Sequence, residues 1–204
     1  MNKTDTNTSG VYTPELIDLV RLGVAFLGLL EQRESQHKVI DKLLQLLPRI
    51  YAQTLLLPEY FYDWEEELLE EYVREESYEA VRSQLAETLG QADAFLVPLI
   101  EDGVYRSDCT QLTISECVAD IYQHLGNLLG IIRSENTAAV PPAIGRYLLY
   151  FEEYWGRQLL VALPALNEAR RMLRVQDEEE EESTVESEEI DLYNALDDYD
   201  NDDL

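Results

Sequence analysis

The sequence predicts an all-α protein, a compact bundle of about five or six helices followed by a disordered acidic tail. Three observations carry this expectation. Leucine-rich segments recur at steps of three and four residues, alternating β-branched runs are nearly absent, and no Asn-Gly turn separates alternating stretches. A chain of 204 residues, 46% hydrophobic, suits one folded domain. The expected organisation is a flexible N-terminus over 1–12, a helical bundle over 13–176 and the tail over 177–204.

Thr13 before Pro14 opens the first helix, because the hydroxyl satisfies a free backbone N–H and proline suits the first helical position. The helix runs to about Gln32, with Asp18, Arg21 and Gln32 as a thin polar stripe and Leu16, Val20, Val24, Leu27 and Leu30 opposite. So narrow a polar stripe predicts enclosure by neighbours. A second helix from Ser35 turns Ile40, Leu43, Leu44, Leu47 and Tyr51 inward, and Pro48 predicts a kink or break over 44–47. Beyond Pro58 the stretch "EYFYDWEEELLEEY" is acidic and aromatic, with a short helix expected around Asp63 and Glu66. The third helix is expected from Glu75 to Ile100, burying Tyr78, Val81, Leu85, Leu89, Ala92, Leu96 and Leu99 and ending at Gly103.

Thr113 followed by Glu116 forms a capping box for the fourth helix. Its seam of Ile114, Val118, Ile121, Leu125, Leu128 and Ile132 has the spacing of an antiparallel bundle. Ala119, Gly126 and Gly130 share one side, where small residues admit a close neighbour. Pro141 and Pro142 open the last helix, which continues to about Leu173 with a bend expected at Pro164. Residues 177–204 carry 15 acids and no Lys or Arg; this composition cannot bury enough apolar surface to offset ordering, so disorder is expected.

Charge and composition exclude several functions. The chain has 42 acids against 15 bases, and residues 1–176 alone are at −12. Binding to nucleic acid or to an anionic membrane relies on Lys and Arg displacing counterions, so neither is an expected partner. The longest apolar run, Leu22 to Leu30, is far short of the roughly 20 residues a membrane helix needs. Met1 to Gly10 lacks the pattern of an export signal, and two cysteines make no disulfide framework, so a cytoplasmic location is expected.

The densest chemistry lies in "RYLLYFEEYWGRQLL", Arg146 to Leu160. Aromatic stripes at helical spacing are more often core than cofactor sites, so packing is the first reading. The phenols still need partners, which leaves Tyr147, Tyr150, Tyr154 and Trp155 as a candidate ligand groove. On the fourth helix, Glu116, Asp120, Gln123, His124 and Asn127 make the nearest approach to a metal or polar site. They lie opposite the seam and lack a Glu-x-x-His pattern, so a solvated face is expected, with Glu116, Asp120 and His124 as the metal alternative. Cys117 borders the seam and lies two turns from His124, which favours a small buried hydrophobe over a nucleophile. No phosphate loop, Gly-x-Ser-x-Gly or Cys-x-x-Cys occurs, and no cofactor is expected. In the tail, "EEIDLYNALDDYD" sets Leu192, Tyr193, Leu196 and Tyr199 among acids, anchors suited to docking on a basic protein partner.

The segments "YTPELIDLVRLGVAFL", "YVREESYEAVRSQLAETLG", "ECVADIYQHL" and "YFEEYWGRQLLVAL" together resemble a bacterial all-helical family catalogued as a domain of unknown function and common in Bacteroidetes. The resemblance spans about Val11 to Leu173. It implies the helical fold, brings no established activity or catalytic residues, and in that pattern an acid often stands at the position of His124. The expectation is a non-enzymatic protein–protein interaction module; the alternatives are a small-ligand or metal-binding bundle and an acidic mimic of nucleic acid that captures a basic protein.

Overall fold

Helix α1 (Pro14–Leu30) starts where the Thr13 hydroxyl accepts from the Leu16 amide at 3.3 Å, with proline in the first turn. The structure is a computed structural model that describes residues 10–62, 69–101 and 104–200, without the side chains of 99–101, 105–107 and 180–200. Leu16, Leu19, Leu22, Phe26 and Leu30 face the core, whereas Val24 is 61% exposed. The expectation of an enclosed helix with Val24 inward is thus corrected. Apolar residues lie nearly all round α1, so periodicity does not say which stripe packs. Carbonyls at its end, Leu30 and Gln32, accept from the Gln84 side-chain amide.

Helix α2 (Gln36–Thr54) continues through Pro48, and the expected break over 44–47 is absent. Proline removes one backbone bond, but Leu43, Leu46, Leu47 and Ile50 around it are buried and their packing holds the turn. The short helix expected at Asp63 and Glu66 falls outside the described residues.

Helix α3 (Glu75–Leu89) buries Val81, Leu85 and Leu89, then stops at Gly90, whose φ of 54° is left-handed. The expected extension to Ile100 is wrong. Ala94–Glu101 is strand β1, paired antiparallel with strand β2 (Val104–Thr113) from Ala94↔Thr113 to Glu101↔Val104. Asp102-Gly103 between the paired ends is a hairpin-favouring dipeptide, a signal the helical reading overrode. Pro98, which an edge strand accommodates more readily than a helix interior, sits beside an irregularity in register. The hairpin leaves and rejoins the bundle at one point. There the Asp93 carboxylate accepts from the Ser115 amide and hydroxyl, both at 2.7 Å, and the Asp93 carbonyl accepts from the Ile114 amide.

Helix α4 (Ile114–Arg133) follows, its Thr113 cap accepting from Glu116 N at 3.3 Å. It packs against α1, α3 and the next helix, α5 (Val140–Tyr150). Its seam is buried as expected except that Ile131 takes the place of Ile132. Ser115, Cys117, Asp120, Tyr122 and Asn127 are buried as well, so the solvated face expected for Asp120 is corrected. The 69–73 segment and α3 cover that side. The small residues work as expected: a Cβ at Gly126 would lie 2.5 Å from Val73 Cγ2, and one at Gly130 would lie 2.2 Å from the Tyr72 ring.

Beyond α5 a π-helical turn (Phe151–Trp155) leads into helix α6 (Gly156–Asp200), which contains Pro164. The wider π-turn takes up an extra residue, sending Phe151 and Trp155 into the core while Tyr150 and Tyr154 stay nearer the surface. Gly156 permits it, since a Cβ there would sit 2.5 Å from the Phe151 carbonyl oxygen. Gly156→Ala should therefore lower stability by about 1–2 kcal/mol, despite the better helix propensity of alanine. Urea unfolding checks this, and an unchanged or raised midpoint would mean that the turn relaxes freely.

The chain divides into two units, Met1–Asn167 and Glu168–Leu204. The first holds the bundle, the hairpin and the grooves described below. The second is helical as far as Asp200, and Arg171 pairs with Glu168 at 2.6 Å. Glutamate favours helical backbone, and residues 177–200 contain no glycine or proline.

Candidate functional site

The site lies over the middle of α4, where the side chains at positions 120, 123, 124 and 127 meet the π-turn and the 69–73 segment. Asn127, 8% exposed, fixes the arrangement. Its Oδ1 accepts from the Tyr72 amide at 2.7 Å and the Val73 amide at 2.8 Å. Both partners are N–H donors, so the amide orientation is unambiguous and Nδ2 points elsewhere.

Asp120 is 6% exposed and bridged by two phenols. Tyr154 donates to Oδ2 at 2.6 Å and Tyr78 donates to Oδ1 at 3.0 Å. Burial pushes the Asp120 carboxyl above its ordinary range, opposed by the two hydroxyl donors. Both phenols are also held well above the usual tyrosine value, first by burial and then by the adjacent carboxylate. Gln158 partly offsets the rise at Tyr154, and its Oε1 accepts from the Cys117 thiol at 3.4 Å. Burial, then the Asp120 and Glu116 carboxylates, push that thiol up to about 12. Tyr154→Phe should raise the Asp120 value further, as seen by carboxyl NMR titration, and an unchanged value would mean that Tyr154 does not stabilise the carboxylate.

One turn further along, the His124 ring lies 4.5 Å from the Tyr150 ring, centroid to centroid, and meets the edge of Tyr154 at 6.2 Å. Burial lowers its pKa to about 4, helped by the Arg146 charge, so the imidazole is neutral near pH 7. It makes no hydrogen bond to the described residues. Arg146 donates to the carbonyls of Leu69 and Glu70, each at 3.5 Å. These side chains, with Tyr62, Glu71, Tyr147 and Leu128, line a groove of about 450 Å³. A shallower one of about 460 Å³ opens over Asp120 on the other side of Tyr154 and Gln123.

The aromatic stretch therefore divides. Tyr147, Tyr150 and Tyr154 line the groove, whereas Trp155 is fully buried at 4.8 Å from Phe151 and 5.0 Å from Tyr147. Its Nε1 has no hydrogen-bond partner among the described residues. Tyr147 is anchored from below: Thr54 donates to the Ile50 carbonyl at 2.8 Å, so the Tyr147 hydroxyl donates to Thr54 at 3.0 Å. Of Glu116, Asp120 and His124, the last two lie on opposite sides of Tyr154, and no group of three or more His, Cys, Asp or Glu among the described residues stands ready to hold a metal. The tail anchors Leu192, Tyr193, Leu196 and Tyr199 lie outside the described side chains. Sequence reasoning missed Glu71, Arg146 and Tyr62 as groove residues; nothing local marks them, because they arrive from other elements.

A family model described as a domain of unknown function (DUF5063) matches residues 10–171. Among solved structures the chain is similar to the crystal structure of protein BF1032 from Bacteroides fragilis. The two are 24% identical with a TM-score of 0.68, over 78% of this chain and 94% of that one, a likeness of fold alone. No curated protein matches. Among the described residues no helix is long and apolar enough to cross a membrane.

Proposed function

The chain belongs to the DUF5063 family, and we propose that it is a non-enzymatic binding protein whose groove over α4 receives a small guest. The observation that carries this reading is a set of fixed donors left without strong partners beside aromatic walls: the Asn127 amide, the His124 imidazole and the Arg146 guanidinium. A groove of about 450 Å³ falls in the range that encloses small ligands. The reactive groups nearby are held in unreactive forms, which supports binding over catalysis. The Cys117 thiol and the Tyr78 and Tyr154 phenols are held protonated, and Asp120 is engaged by two hydroxyls. A fragment screen by protein NMR tests the reading. Guests should shift the side-chain signals of Asn127 and His124, and a screen in which no fragment does so removes the proposal.

A second reading, a protein–protein module, is favoured by Leu55, Leu56 and Phe61, exposed by 62%, 61% and 84% beside another groove of about 570 Å³. The occupant proposed for it is a second copy of the chain. Sedimentation at high micromolar concentration, with Phe61→Ser as control, decides it: a monomer throughout ends that reading. Its other arm is the acidic segment 177–204, with Leu192, Tyr193, Leu196 and Tyr199 docking on a basic partner. That arm predicts salt-sensitive capture of a basic protein, lost on deleting 177–204.

A further inference from the structure

We infer that the guest is a small aromatic carboxylic acid, its carboxylate taken by Arg146 and the Asn127 amide and its ring laid among His124, Tyr150 and Tyr154. This rests on the binding-groove reading above and deepens it.

The argument begins with Asn127. Its side chain is more than nine-tenths buried, and both hydrogen bonds it makes are accepted by Oδ1. That leaves two N–H donors on Nδ2, in the groove lining and without a partner among the described residues. Nδ2 is open to the groove rather than sealed off, so a donor held in place by the two Oδ1 bonds is a preformed contact for an acceptor. Arg146 adds a planar guanidinium whose two bonds go to neutral carbonyls at a long 3.5 Å, with no carboxylate partner among the described residues. A guanidinium matches a carboxylate in shape, and such bonds strengthen when the acceptor is charged. The His124 imidazole, neutral at physiological pH, supplies one donor and one acceptor without adding charge.

The acceptor required is therefore an oxyanion, and the walls specify what carries it. His124 and Tyr150 lie 4.5 Å apart, with Tyr154 edge-on, a surface on which a flat ring finds offset and edge contacts. One guanidinium and one amide suit a single carboxylate better than a phosphate of higher charge. Glu71 shares the lining and opposes an anion. The rest of the chain is strongly acidic, so a bound anion gains from the local donors against a repulsive field. Two consequences follow: Glu71→Gln should tighten binding, and added salt should not weaken it much, because screening reduces the repulsion as well as the attraction.

The test uses the full chain, labelled with ¹⁵N and titrated with three probes of nearly one shape: phenylacetate, phenylacetamide and phenethylamine. Phenylacetate should bind at least about tenfold more tightly than either other probe, a difference of about 1.4 kcal/mol, and should shift the Asn127 side-chain NH₂ signal. Asn127→Asp keeps an oxygen for the Tyr72 and Val73 amides but replaces the donor with an acceptor, so phenylacetate binding should fall at least about tenfold while the fold persists. Arg146→Gln should act likewise and decides the matter if Asn127→Asp does not fold. Equal binding of the amine or the amide, or unaltered phenylacetate binding by the variants, overturns the carboxylate assignment and leaves the groove reading standing. No groove shift with any of the three overturns the carboxylate assignment, and the wider fragment screen then judges the groove.

Discussion

Replacing Asn127 by alanine should release the 69–73 segment from α4 and lower the free energy of unfolding by about 2–4 kcal/mol. The Oδ1 atom satisfies two consecutive backbone amides, and the one at Val73 is fully enclosed. Alanine leaves both N–H groups without this acceptor, at the cost of a buried unsatisfied donor for Val73 and a smaller cost for the part-buried Tyr72 amide. It also loosens the seat of Val73 over Gly126 and of Tyr72 over Gly130, contacts that depend on the segment lying close to the helix. For a chain of this length the thermal midpoint should fall by about 5–12 °C. Urea unfolding measures the loss, and hydrogen exchange at the Tyr72 and Val73 amides locates it. A loss below about 1 kcal/mol with both amides still protected would show that the segment is held by other contacts. Asn127→Asp, which retains an acceptor, should lose much less.

The second large effect is one of pH. His124 has a folded-state value near 4 against an ordinary value of 6.5, chiefly from burial and secondarily from Arg146. Between these values the unfolded chain binds a proton that the folded chain refuses, so stability falls as pH drops from about 6.5 to about 4. The shift corresponds to roughly 2–3 kcal/mol, allowing for solvent that reaches the ring from the groove. Asp120 acts in the opposite sense. Its raised value makes the folded chain hold a proton more readily than the unfolded one, so its contribution grows as pH falls toward the ordinary carboxylate range. The difference between wild type and His124→Gln isolates the histidine. Their stabilities should converge, or the variant become the more stable, as pH falls through that window. Parallel curves from pH 7 to 4 would mean that the imidazole titrates normally.

Much of the fold was legible because it is written in local terms. The cap at Thr13, the box at Thr113 and the seam of α4 each rest on a few neighbouring residues whose chemistry has one good use. The stretch 94–100 misled because leucine spacing carried on from α3 there fits a helix. The features that settle it are Gly90 in a left-handed turn, Pro98 in the strand, and Asp102-Gly103 between the paired ends. Pro48 misled in the other direction, since burial on both sides outweighs one missing backbone bond. At the site, the tyrosine arc and the α4 polar residues were both visible, but their joining was not. Whether Asp120 and Asn127 face water or protein depends on Tyr78, Tyr154 and the 69–73 segment, which lie 34 to 55 residues away.

By itself the sequence determined a helical protein of the DUF5063 family with a strongly acidic end. Only the tertiary structure decided that Trp155 closes the core while Tyr150 and Tyr154 leave it, and that His124 is neutral beside a guanidinium. The physical reason is range. Caps and periodicity act over one or two turns of backbone, whereas desolvation, the pairing of a buried amide and the shape of a groove depend on which distant elements arrive to cover a given face.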